Sequence, residues 1–410
     1  MIERLSVKNF RMLAGNQVDL GRFAVLVGRN ASGKSTLMAA LRFVSHVLSD
    51  GVDKAVESAL DGGGSSFDDL CFRAGQPIQI AVEMRLGDAY RFELEVGVLA
   101  GSAVPVVLRE NLYRLPPRAL LSGTRRQASL FGEVELDGVI HAKAKPGWRK
   151  IVSKSADGKD YFQDERTEWN TTLRFGANKS ALGNLPEDPQ RLPGGISVRN
   201  FLRDGVVLVE LDSHMLRMPS RPLSTPHLRR DGANLAAAAR ALKQRDEVLF
   251  EQWVKHVGDA VGGLTAVSTW ERPEDKHVVL QGHFDGSHSA PVPSWLLSDG
   301  TLRLMALSLL SYAEPEEQRG IVLVEEPENG LHPLAIQSVH QALSTMRTTQ
   351  VFVATHSPVF LASTEMEQAL VFRRAADGVA EVCRGDEVAA LRNWKNDVRL
   401  ANVFASGVLA

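Results

Sequence analysis

Apolar and polar residues alternate over the opening positions, with Leu5, Val7 and Phe10 and then Val18 and Leu20 marking the apolar side. The alternation closes into the run Phe23-Ala24-Val25-Leu26-Val27. A period of two predicts half-buried strands, and an unbroken apolar run predicts a strand covered on both faces. From Lys34 the period lengthens, and Leu37, Leu41, Val44 and Leu48 share one face of a helix that Asp50-Gly51 ends. A glycine-rich loop follows at 61–66, and then residues 79–85 and 90–98 read as a hairpin across Gly87-Asp88. Between 116 and about 195 the periodicity fades while Pro, Gly, Lys and Arg rise, which predicts an inserted lobe. Residues 231–256 read as one helix, and strands return at 264–270 and 277–284. From 294 to 358 the order is turn, helix, buried strand, turn, helix, buried strand. That order predicts parallel pairing in an α/β sheet. Trp394, Val398, Leu400 and Phe404 suggest a packed amphipathic helix at the C-terminal end. No internal repeat or long heptad tract is visible, so no coiled-coil arm is expected.

A length of 410 residues with 44% hydrophobic content is ample for a large core. The formal net charge of -2 gives no global attraction to nucleic acid. Any DNA contact needs a local patch, for which residues 143–179 with Arg217, Arg221, Arg229 and Arg230 are the candidates, the alternative being an ordinary solvated surface. Cys71 and Cys383 make neither a disulfide framework nor a zinc site. The start MIERLSVKNF carries Glu3 and lacks the apolar run of a signal peptide. The greasiest segment, LRLMALSLL, is interrupted by Arg303 and Ser308. A soluble cytoplasmic protein without a membrane role is expected.

The buried run at 23–27 leads into Gly28-Arg29-Asn30-Ala31-Ser32-Gly33-Lys34-Ser35, followed by Thr36. This is G-x-x-x-x-G-K-[ST] with a strand before it and a helix after it. The glycines let backbone N–H groups face a phosphate chain, and the helix points its positive end at the same place. Lys34 is placed to reach the β- and γ-phosphates, and Ser35 to ligate Mg²⁺. A second aliphatic run, Ile321 to Val324, ends in Glu325-Glu326. Paired carboxylates at a buried strand end repel each other unless a cation is near. A strand lying beside the first one supplies that cation: Glu325 holds the water shell of the metal, and Glu326 orients and deprotonates the attacking water. A third run, 351–354, ends in Thr355-His356-Ser357, where His356 is a candidate contact to the γ-phosphate or the water. Ser298 and Gly300 form a helix-cap turn ahead of an apolar helix, with a hydroxyl and free N–H groups able to hold an anion.

In this order, NFRML, GRNASGKST, LLSDGTLRLMAL, IVLVEEPENGLHP and VATHSPVFL resemble the ABC-type ATPases of the SMC/RecF/OLD class. Within it, the chain is most similar to the compact bacterial and phage-defence AAA-family ATPases. VVLRENLYRL around Glu110 and RRDGANLAAAARAL at 229–242 agree. The resemblance implies an α/β P-loop NTPase fold, an ABC/RecF-like head of mixed sheet and flanking helices with an inserted lobe. Residues 1–115 and 291–372 are expected to form the head, 116–290 the lobe and 373–410 a tail packed on the head. ATP binding falls to Gly28, Asn30, Ala31, Ser32, Gly33, Lys34, Ser35 and Thr36, with Arg11 near the nucleotide. Glu325 and Glu326 are the Walker B pair, His356 the switch histidine, and Gln76 the glutamine lid residue at the metal. Ser298 and Gly300 belong to the signature, which meets the γ-phosphate held by the other subunit. Three positions depart from the wider class: Glu325 stands where Asp is usual, the signature reads LSDGT, and His332 replaces an aspartate common among relatives.

The implied machine is an ATP-sandwiched homodimer or higher homo-oligomer using ATP and Mg²⁺, with Glu326, Lys34 and His356 catalytic. DNA and a separate effector, a nuclease or toxin, are the implied partners. The alternative is an ATP-dependent assembly scaffold with little hydrolysis and no nucleic-acid binding. Intrinsic nuclease activity is not expected, because only about fifty residues follow His356, without an acidic metal cluster.

Overall fold

The computed structural model describes residues 1–60, 64–117, 138–156, 159–222, 224–286, 290–313 and 320–388. Three strands open the chain, β1 (Ile2–Phe10), β2 (Leu13–Asp19) and β3 (Phe23–Gly28), followed by helices α1 (Lys34–Ser49) and α2 (Val52–Leu60). Six strands follow: β4 (Ile78–Leu86), β5 (Asp88–Val98), β6 (Pro105–Leu115), β7 (Arg149–Ser155), β8 (Asp160–Gln163) and β9 (Asn170–Leu173). Then come α3 (Pro193–Arg203), β10 (Val206–Val209), α4 (Ser213–Arg217), α5 (Leu235–Arg245) and α6 (Glu247–Val261). A small hairpin sheet is made by β11 (Leu264–Glu271), β12 (Val278–Phe284) and β13 (Val292–Pro293). The last stretch alternates α7 (Asp299–Tyr312), β14 (Ile321–Glu325), α8 (Pro333–Ser344), β15 (Gln350–Ala354) and α9 (Pro358–Ala362). It ends in β16 (Ala369–Arg374) and β17 (Ala380–Arg384).

Among the described residues, an antiparallel sheet runs β2-β1-β4-β5-β6-β7-β8-β9, and a mainly parallel sheet runs β10-β14-β15-β3-β16-β17. The parallel sheet is covered on both faces, as its unbroken apolar strands require. Ala24, Leu26, Leu323 and Phe352 face one core, which α1 shares with the antiparallel sheet. Val25, Val27, Val324 and Val353 face the other, under α5 to α8. The period of two thus sorts each strand between two cores. The hairpin 78–98, the strands near 264 and 278, and the parallel pairing of β14 with β15 all agree with the sequence reading.

Four expectations need correction. The segment 231–256 is two helices, because Asp246 ends α5 and its side chain caps α6 by accepting from the Leu249 N–H at 3.0 Å. The stretch 116–290 is not a single lobe. Strands β7 to β9 extend the antiparallel sheet, and β10 joins the parallel one. The buried ion pair of Lys154 and Asp160, 2.8 Å apart, breaks the apolar alternation that would have revealed these strands. Residues 373–388 are not a tail, since β16 pairs with β3 and β17 pairs with β16. Finally, the acidic strand β14 does not lie beside β3, because β15 runs between them. The helix expected at 394–404 lies outside the described residues. Among the described residues, no helix is long and apolar enough to cross a membrane.

His340 on α8 is buried between the rings of Phe23, 5.4 Å away, and Phe360, 4.8 Å away. Burial pushes its pKa down from 6.5 to about 4. The unfolded chain therefore binds a proton between those values that the folded chain refuses. The stabilisation is complete above pH 6.5 and is lost as pH falls towards 4. We expect His340→Leu to remove roughly 3 kcal/mol of the stability difference between pH 7 and 4, read by urea unfolding at the two pH values.

Candidate functional site

The loop between β3 and α1 is shaped by close backbone approach. A Cβ on Gly28 would sit 2.4 Å from the Phe372 carbonyl and 2.7 Å from Ser32 Oγ. Gly33 has φ 105° and lies against Ala380, and Ala31 has φ 58°. These left-handed residues turn the backbone into a concave loop at the N-terminus of α1. Lys34 is 7% exposed, and its Nζ donates to the carbonyls of Gly28 and Arg29, each at 2.9 Å. Burial lowers its pKa, while Glu326, Glu325 and Glu328 act in the opposite direction. The Ser32 hydroxyl is buried without a partner. Ser35 and Asn30 are exposed and Thr36 is buried.

These residues fit a polyphosphate. The orphaned Ser32 hydroxyl is a donor awaiting an acceptor, and the loop ends at the N-terminus of α1, whose first N–H groups lack intrahelical partners. The open Ser35 hydroxyl suits Mg²⁺, which is held by few protein ligands together with phosphate oxygens and water. Among the described residues, no group of three or more His, Cys, Asp or Glu side chains forms a metal cage of its own.

At the end of β14, Glu325 and Glu326 are exposed after four buried aliphatic residues. Glu326 has φ 46°, a left-handed conformation costly for a side chain with a Cβ. It is held there by hydrogen bonds at its N–H, its side chain and its carbonyl, the last accepting from the Asn329 N–H at 3.1 Å. Its N–H donates to the Ala354 carbonyl on β15 at 2.8 Å, and Asn329 Nδ2 donates to Glu326 Oε2 at 2.8 Å. The strand between β14 and β3 therefore acts as a spacer that fixes the acid from the side. His356 follows that strand. Burial and Lys34 lower its pKa, and Glu326 and Glu328 raise it. Lys34, Glu326 and His356, from three strand ends, thus share one electrostatic field.

Glu328 belongs to this field but escapes a reading of the sequence. Its Oε1 accepts from Thr355 Oγ1 and from the His356 N–H, both at 2.8 Å, while its Oε2 is buried without a partner. The third carboxylate of EEPEN was its signal, masked by the turn residues around it. We expect Glu328→Gln to lower the His356 pKa further, measured by NMR titration, since it removes a carboxylate that raises it. Losing this charge-assisted bond should slow turnover on the order of tenfold.

Ser298 caps α7, its Oγ accepting from the Thr301 N–H at 3.1 Å. A Cβ on Gly300 would lie 2.7 Å from the Gly330 carbonyl, so the turn packs against the loop that follows Glu326. Ser298 thus contacts Thr301 and, through its carbonyl, the Leu302 N–H at 3.1 Å, while Gly300 lies against Gly330. Arg11 directs its guanidinium to the Ala59 carbonyl at the end of α2. Gln76 sits exposed in a turn, its carbonyl accepting from buried Asn9 at 2.9 Å. Neither Arg11 nor Gln76 hydrogen-bonds to Lys34 or the acidic pair among the described residues. His332 caps α8 through Leu334 N–H. Much of the basic charge is paired internally: Lys154 with Asp160, Arg217 with Asp299, Arg229 with Asp231 and Arg230 with Glu210.

A family model described as "AAA domain, putative AbiEii toxin, Type IV TA system" matches residues 23–362. The chain is 32% identical over 416 residues to the OLD nuclease of Thermus scotoductus, covering 98% of this chain and 68% of that protein. It is 20% identical over 406 residues to the Old nuclease of Escherichia phage P2, covering 91% of this chain and 59% of that protein. Among solved structures, an Smc head bound to the C-winged helix domain of ScpA aligns over 93% of this chain and 96% of that chain. Its TM-score is 0.52 at 16% identity, a likeness of fold. The mixed sheets and P-loop are those of the ABC/RecF-like ATPase head that the motif order implied.

Proposed function

Since the chain belongs to this AAA-domain ATPase family and to the SMC/RecF/OLD class, we propose that it is a switch ATPase whose two copies close head to tail around ATP. The observation that carries the reading is the shared field of Lys34, Glu326, Glu328 and His356 beside a loop holding an unpartnered Ser32 hydroxyl. Lys34 and the loop N–H groups bind the β- and γ-phosphates. Ser35 and Glu325 are the residues that would hold Mg²⁺, which would supply charge neutralisation at the phosphates. Glu326 accepts the proton of the attacking water, and His356 hydrogen-bonds the γ-phosphate or that water. Ser298 and the N-terminus of α7 stabilise the γ-phosphate bound by the second copy.

Partners follow from the relatives. The named nucleases are longer proteins, of which this chain spans 59% and 68%. We place the ATPase upstream of an effector acting on DNA, in the cytoplasm and in defence against phage. The experiment is solution mass with and without ATP·Mg²⁺, alongside phosphate release and DNA binding at two salt concentrations. The switch reading expects ATP-dependent self-association, measurable hydrolysis, and DNA affinity that falls steeply with salt. Assembly that ignores nucleotide would point to the scaffold alternative, and a salt-independent DNA signal would remove DNA from the reading.

A further inference from the structure

The signature turn carries a carboxylate of its own. Asp299 opens α7 between Ser298 and Gly300. A helix N-terminus favours an acidic side chain. The same end is where the partner's γ-phosphate is placed above, and a free carboxylate there repels it. Arg217 meets that carboxylate: Nη2 and Nε donate to Asp299 Oδ1 at 2.5 and 3.1 Å. Its Nη1 donates to the carbonyls of Leu297 at 2.7 Å and Trp295 at 3.0 Å. The Arg217 carbonyl in turn accepts from Ser294 Oγ at 2.9 Å, and Ser294 is buried. One residue therefore grips the turn 294–299 through its side chain and its backbone.

The grip is itself anchored. Asp212 caps α4 by accepting from the N–H groups of His214 and Met215 at 2.7 and 3.0 Å. Leu216 is buried against Gly232, where an added Cβ would lie 2.5 Å from Leu216 Cδ2. The segment leads out of β10, whose Val209 is in register with Val324, the residue before Glu325. Arg217 thus ties the strand beside the Walker B acid to the signature turn of the same chain.

We propose that Arg217 is a positioning residue for the composite site: it neutralises Asp299 and fixes the turn so that α7 presents its N–H groups to the γ-phosphate held by a second copy. The proposal rests on the head-to-tail reading. Arg217→Ala is expected to weaken ATP-driven self-association and lower kcat/KM by about tenfold or more. Adding Asp299→Asn should restore most of that loss, which a purely structural role would not allow. Arg217→Gln, which keeps donors but no charge, replaces the alanine variant if that one fails to fold.

Mixing decides the site of action. Arg217→Ala has an intact P-loop, and Lys34→Ala an intact signature, so random pairing should recover about a quarter of native turnover. Lys34→Ala mixed with Ser298→Arg is the control. Recovery in the control alone overturns the Arg217 proposal and leaves the sandwich standing. Recovery in neither overturns the head-to-tail reading, and the proposal with it. Failure of Asp299→Asn to rescue also overturns it.

Discussion

Glu326→Gln is expected to lower ATP turnover by roughly a hundredfold to ten-thousandfold while ATP·Mg²⁺ still drives self-association. The amide keeps the shape of the carboxylate, and its oxygen still accepts from Asn329 Nδ2, now at 2.8 Å from Glu326 Oε2. The backbone bond from Glu326 N–H to Ala354 is untouched, so the left-handed turn persists. What is lost is a group able to take a proton. The variant also removes one of the carboxylates acting on Lys34, which favours retention of the anionic nucleotide. Phosphate release and sedimentation with nucleotide separate the two effects. Native-like turnover would move the base to Glu325 or Glu328. Lost association would mean that Glu326 shapes the interface instead of the chemistry.

The parts of the site that the sequence reveals are those whose signal is local. Gly28, Gly33 and Lys34 fall within one loop between a strand and a helix, and each has a steric or electrostatic reason for its identity. Glu326 and His356 end aliphatic runs, so both are legible as polar groups at strand ends. Glu328 and Arg217 are not, because each acts through a partner far along the chain. Thr355 and His356 receive Glu328, and Asp299 receives Arg217 across 82 positions. A pattern read in short windows cannot pair them.

The same limit explains the fold. Strand direction in the parallel sheet follows from alternating helix and strand, but strand order does not. The insertion of β15 between β14 and β3 is a tertiary choice, and the crossovers carry no local mark of it. In the antiparallel sheet, buried charge hides the strands. Glu110 is fully buried on β6 and accepts from Ser180 Oγ and the N–H groups of Ala181 and Leu182 at 2.7 to 2.9 Å. Lys154 and Asp160 do the same on β7 and β8. Such residues read as solvent-facing until their partners are known, since a buried charge is tolerated only when paired or hydrogen-bonded. Asp246 escaped the reading for a different reason: it is a capping residue inside an apparently continuous helical period.

Lys34→Met separates the phosphate site from the scaffold. The ammonium is buried at the start of α1, where desolvation disfavours its charge, and among the described residues the carbonyls of Gly28 and Arg29 accept from it. Replacing it with an apolar chain of similar length relieves that desolvation and removes the hydrogen bonds to those two carbonyls, so the net change in folding stability should stay within about 2 kcal/mol. Nucleotide affinity should fall by at least roughly a hundredfold, because a buried charge-assisted contact to phosphate is lost. Calorimetric titration with ATP·Mg²⁺ reads the second effect, and the rise of Tm with nucleotide reads both at once. The native protein should gain stability as ATP increases and the variant should not. Lys34 also lowers the His356 pKa, so the variant should titrate that imidazole at higher pH than the native chain does. A variant that unfolds, or an unchanged His356 titration, would make Lys34 a brace for the loop and take it out of the field that joins the three strand ends.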